Sequence, residues 1–108
     1  MPARDALGEF EHQVLLAILR LGGESYSVAI VLELEECTGR DVAPAAVYIA
    51  LRRLEAKGLL SSRMTSARQK ERSRRYFKLR PAALARLRDS RESFRKLWAG
   101  VEPLLERK

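Results

Sequence analysis

Arg52 and Arg53, with Tyr48 and Ile49 one turn earlier, are the side chains of this chain best suited to chemistry on a polyanion. A guanidinium fork can grip guanine O6 and N7 in the major groove, an isoleucine can touch a thymine methyl, and a phenol hydroxyl can donate to a phosphate. Ala45 and Ala46 precede them. Residues that small let a helix backbone approach base edges closely. Tyr26 is a second candidate for a phosphate contact, and Arg68, Lys70, Arg72, Arg74 and Arg75 supply charge further along. Chemistry of other kinds has little to work with. The chain has no glycine-rich phosphate loop, no paired-carboxylate or nucleophile motif, and one histidine, His12. Neither an enzyme nor a metal or cofactor site is therefore expected.

The elements that must position these residues follow from periodicity. Around the arginines, Pro44 suits a first helical turn, Gly58 suits a left-handed end, and Val47, Leu51 and Leu54 share one face. Taking ~100° per residue, Ala45, Tyr48, Ile49 and Arg52 point away from that stripe, with Arg53 beside them. Upstream, Phe10, Val14, Leu15, Ile18 and Leu21 recur at helical spacing and stop at Gly22-Gly23. A second helix from about Ser27 to Cys37 is expected to bury Ile30, Val31, Leu34 and Cys37, with Ser25 or Ser27 as its cap. Only residues 38–43 separate it from the arginine helix. So short a connection forces a steep crossing, as in a helix-turn-helix unit.

Beyond Gly58 the period changes to two. Residues 60–65 and 76–79 read as the strands of a hairpin whose tip, residues 66–73, has no apolar anchor. Pro81 opens a last helical segment in which Leu84, Leu87, Phe94, Leu97, Trp98, Val101 and Leu105 lie along one side. Continued to Glu102 it would be ~33 Å long, too long for a three-helix head to cover. Pro103 is expected to kink or end it. An uncovered seam, joined by Phe10, implies association with a second copy. The fold class expected is mainly α with a small β-hairpin: a winged helix-turn-helix over residues 1–80 and a dimerisation helix over residues 81–108.

Charge agrees with this division. The net charge of +7 is made of −3 over residues 1–62, +7 over residues 63–80 and +3 over residues 81–108. The excess lies on the hairpin and its tip, where it can follow a phosphate backbone. A membrane surface fits poorly, because no wide apolar face adjoins the basic block. No stretch of about 18 uncharged apolar residues occurs, the N-terminus lacks a signal core, and Cys37 has no disulfide partner. A cytoplasmic location is expected.

Several stretches together resemble the PadR family of bacterial transcriptional regulators. They are Leu7-Gly8-Glu9-Phe10-Glu11, Tyr26 with Ile30 four residues on, Val47 through Leu59, and Arg74-Arg75-Tyr76-Phe77-Lys78-Leu79. The short tail is similar to the subgroup with a single C-terminal helix. The resemblance implies a homodimeric repressor on a pseudo-palindromic operator in double-stranded DNA, with any ligand site near the dimer interface. Trp98 is then the candidate contact for a small planar aromatic effector. Ala43 and Arg80 stand where the family commonly has a capping serine or threonine. From the residues alone one alternative stays open, a winged-helix module that binds protein or RNA without reading an operator.

Overall fold

Val14, Leu15 and Ile18 set the first helix: one apolar stripe facing inward, with Glu9 and Glu11 where the helix dipole favours them. The computed structural model describes residues 7–65 and 73–106. In chain order these form α1 (Glu9–Arg20), β1 (Glu24–Tyr26), α2 (Ser27–Thr38), α3 (Pro44–Ala56), β2 (Leu60–Met64), β3 (Arg75–Leu79), α4 (Pro81–Trp98) and α5 (Glu102–Leu105). Mainly helical with a small antiparallel sheet, it is the winged-helix arrangement the periodicities predict.

The sheet has three strands, in the order β1-β3-β2. The sequence reading anticipates a two-stranded hairpin and misses β1. That strand is only Glu24-Ser25-Tyr26, pairing Ser25 with Phe77 and Tyr26 with Tyr76. Gly22 and Gly23, with φ of 101° and 97°, turn the chain sharply out of α1 and into it. The turn is fixed by the Gly23 N–H on the Ile18 carbonyl at 2.9 Å, and the Gly23 carbonyl accepts the Leu79 N–H at 2.9 Å.

A single core joins the helices to the inner face of the sheet: Leu15 and Ile18 from α1, Ile30 from α2, Leu51 and Leu54 from α3, and Phe77 from β3 are all fully buried. A part-buried ion pair borders it. Lys57 Nζ lies 2.6 Å from Glu11 Oε1, and the same carboxylate accepts the Gly8 N–H at 3.1 Å, closing the first turn of α1. Burial pushes the Glu11 carboxyl up, but the hydrogen bonds from Lys57 and Gly8 and the charges of Lys57 and Arg53 outweigh it and hold the pKa below normal.

Three expectations need correction. Cys37 is exposed rather than packed in the core, and its thiol donates to Glu33 Oε2 at 3.5 Å. Its position after Leu34 places it at the rim of the apolar stripe, where α2 has already turned toward solvent. The last helix stops at Trp98, not near Pro103: Gly100 adopts φ +77°, and Pro103 lies in the first turn of α5. And α2 begins without a side-chain cap, since Tyr26 holds the N-cap position and Ser25 is buried.

Candidate nucleic-acid interface

The candidate interface begins at the open end of α3. Ala43 is its N-cap in extended conformation, and no side chain caps the helix. Glu35 of α2 fixes the chain just before the helix, its Oε2 accepting the Val42 N–H at 2.9 Å. Ala45 and Ala46 are exposed on the first turn, so the backbone there is approachable. Val47, Ala50, Leu51 and Leu54 hold the opposite face in the core. That anchoring turns Tyr48, Ile49, Arg52 and Arg53 outward; Tyr48 is 44% and Ile49 52% exposed. The helical phase read from the sequence is therefore the observed one.

The exposed side chains of α3 are ordered by one another. Arg52 Nη1 donates to the Tyr48 hydroxyl at 3.2 Å, with the guanidinium 5.9 Å from the ring centroid. Arg52 Nε also lies 3.8 Å from Glu55 Oε1. Glu55 is thus an acidic neighbour of this face. Its other oxygen, Oε2, accepts the Ser62 hydroxyl at 2.5 Å, and Ser62 Oγ in turn accepts from Arg75 Nη1 at 3.0 Å. A continuous polar chain, Tyr48–Arg52–Glu55–Ser62–Arg75, thus ties the exposed side of α3 to both hairpin strands. Glu55 and Ser62 went unnoticed in the sequence. The Glu55–Arg52 spacing of three was a visible signal, whereas Ser62 depends on strand register.

Of the hairpin cations, Arg75 is half-buried in this chain and Arg74 is exposed, its guanidinium 4.3 Å from the centre of the Tyr26 ring. Arg68, Lys70 and Arg72 lie outside the described residues. Tyr26 is half-buried at the start of α2 and meets Tyr76 edge to face at 5.4 Å.

At the far end, the seam divides. Leu87 is 7% exposed, and with Leu84 and Phe10 it packs on the protomer's own core. The sequence reading assigns these three to the pairing surface. Leu84 and Leu87, in the first turns of α4, face the core instead, and Phe10 packs against it from α1 itself. Phe94, Leu97, Trp98, Val101 and Leu105 remain exposed, joined by Leu104 and by Leu16 and Leu19 of α1. His12 stacks on Phe94 with ring centroids 6.3 Å apart. A groove of about 310 Å³ runs between α1 and α4, lined by His12, Leu16, Leu19, Leu87, Arg88 and Arg91; Trp98 is not among its lining side chains. Among the described residues no group of histidine, cysteine and carboxylate side chains could hold a metal ion, and no helix is long and apolar enough to cross a membrane.

Comparison with known proteins agrees with this geometry. The family described as "Transcriptional regulator PadR-like family" matches residues 15–89. Among solved structures, a PadR family transcriptional regulator from Eggerthella lenta is 29% identical, with a TM-score of 0.70, over 88% of this chain and 82% of that one. A PadR family transcription regulator from Clostridium difficile is 20% identical (TM-score 0.73; 89% and 98% covered). F93 from STIV, a winged-helix DNA-binding protein, shares the fold at 12% identity (TM-score 0.71; 85% and 94% covered). No match is found among curated proteins.

Proposed function

This chain belongs to the PadR-like family of transcriptional regulators, and from that premise we propose that it is a homodimeric, sequence-specific DNA-binding repressor. The observation that carries the reading is the outward face of α3, where Ala45, Ala46, Tyr48, Ile49 and Arg52 are all exposed while the opposite face is locked in the core. A helix so held presents a fixed pattern to a major groove. Ile49 meets a thymine methyl, Arg52 grips a guanine, Arg53 adds charge beside it, and Tyr48 sets register on a phosphate. Arg68, Lys70, Arg72, Arg74 and Arg75 follow the flanking backbone and supply salt-dependent affinity. Tyr26 adds a phosphate contact at the start of α2.

Residues 1–80 form the DNA-binding part and residues 81–108 the pairing part. Phe94, Leu97, Trp98, Val101 and Leu105 are too many apolar side chains to leave in water, and a second copy of the same surface covers them. Phe10, Leu84 and Leu87 support that surface from beneath. A small planar aromatic effector near Trp98 would change the angle between the two heads and release the operator. A gel-shift comparison tests the reading: retention of duplex DNA in preference to single-stranded RNA is expected. Equal or stronger retention of the RNA would overturn it.

A further inference from the structure

Glu55 and Ser62 have no DNA contact in the reading above, yet both stand behind the side chain that reads a base. Arg52 is held along one edge of its guanidinium. Its Nε lies 3.8 Å from Glu55 Oε1, and Nη1 donates to the Tyr48 hydroxyl at 3.2 Å. Among the described residues nothing binds Nη2, so the end of the fork is left open. That end can take guanine O6 and N7 together, provided the plane of the guanidinium is fixed.

A carboxylate on an exposed helix samples several rotamers and gives a neighbouring arginine little direction. Glu55 is constrained instead. It is half-buried, and Oε2 accepts the hydroxyl of Ser62 at 2.5 Å. Ser62 lies opposite Phe77 in the β2–β3 ladder, and so on the sheet face that packs on the helices. Its Oγ accepts from Arg75 Nη1 at 3.0 Å, which occupies one lone pair and leaves the hydroxyl hydrogen for Glu55. An alanine at this position would leave Oε2 to water and the carboxylate free to turn.

Resting on the DNA-binding reading above, we propose that Glu55 and Ser62 are positioning residues for base recognition: the hairpin serine locks the carboxylate, and the carboxylate aims Arg52. Discrimination at one base pair then depends on a strand residue that makes no DNA contact of its own. Reading a guanine requires the guanidinium in one plane, whereas attraction to phosphate requires only its charge. Loosening the aim therefore lowers discrimination and leaves general affinity in place.

The test is binding of the full-length protein to a duplex selected from a random pool, to its single-base variants and to a mixed-sequence duplex. The base pair read by Arg52 is located first, as the position where Arg52→Ala loses discrimination. Ser62→Ala should lower the preference for the selected base about three- to fivefold at that pair alone, with the mixed-sequence affinity and the salt slope unchanged. Ser62→Thr, which keeps the hydroxyl on a residue suited to a strand, should restore the preference. Glu55→Gln should lose it at the same pair while binding mixed-sequence duplex more tightly, since a negative charge is removed. In an Arg52→Ala background, Ser62→Ala should change nothing further at that pair. The proposal is overturned, with the α3 reading intact, if Ser62→Ala keeps the wild-type preference, weakens all duplexes equally, or still acts at that pair without Arg52. If Arg52→Ala changes discrimination at no base pair, both readings fall.

Discussion

At the scale of single residues, Arg52 is the side chain on which the proposed reading places most of the specificity. It is exposed, yet its guanidinium is steadied by the Tyr48 hydroxyl and the Glu55 carboxylate. Arg52→Ala should cost about 1–3 kcal/mol on the preferred site and relax discrimination at one base position, as measured by binding to single-base variants of a selected duplex. Glu11 governs stability instead. Its folded-state pKa is depressed, so the stabilisation it gives is complete above the ordinary carboxylate range and lost as pH falls through the folded value. Glu11→Gln should lower unfolding free energy by about 1–3 kcal/mol near neutral pH, because the charged hydrogen bond between Lys57 and the Glu11 carboxylate is lost in a part-buried site. In urea titrations that difference should close as the solution is acidified past the carboxylate range. Tyr48, Ile49 and Arg52 were legible in the sequence because helical phase alone fixes which way they point. Glu55 was harder, since its role depends on Ser62, brought to it by the turn at Gly58 and the path of β2. Cys37 was misread because a residue at the edge of an apolar stripe can fall on either side of the surface. Where it lies, partial desolvation of the thiol and the Glu33 hydrogen bond push its pKa up.

At the scale of elements, the three helices of the head matched their apolar periodicity and glycine stops nearly to the residue. Two other elements did not, for physical reasons. β1 is too short to show a period, and it exists only because β3 offers an edge for Ser25 and Tyr26. The end of α4 was placed at Pro103, the obvious helix breaker, although Gly100 comes first and takes the left-handed conformation that a helix C-terminus favours. The wing gives an element-scale expectation. Replacing Arg72 and Arg75 together with alanine should weaken binding similarly on all sequences and flatten the salt slope by about 0.9 per lost phosphate contact. An unchanged slope, measured by anisotropy titration across salt concentrations, would show that the wing does not meet the backbone. Because Arg75 also donates to Ser62, Arg72→Ala alone separates loss of charge from loss of the tie to α3.

At the scale of the whole molecule, the proposed reading gives partners two surfaces: the exposed face of α3 for DNA, and the apolar end of α4 and α5 for a second copy. The sequence showed that an apolar seam would be left over, but not where it starts. Phe10, Leu84 and Leu87 turn inward because α4 crosses α1 closely before running clear of the head. Leu97, 71% exposed, is the outermost large apolar side chain of α4, and Leu97→Glu should convert a dimer to a monomer with its helical content intact. Sedimentation with circular dichroism reads both. Trp98 fluorescence, titrated with planar aromatic compounds, should saturate with any compound that also releases DNA; release with no saturable change would place the effector elsewhere.

The central claim is that two copies of α3 read one operator. In vitro selection of duplex DNA from a random pool, followed by determination of the mass of the selected complex, tests it most directly. The account predicts an inverted repeat with half-sites about one helical turn apart, bound by two chains. Sequence-indifferent binding by a single chain would contradict it.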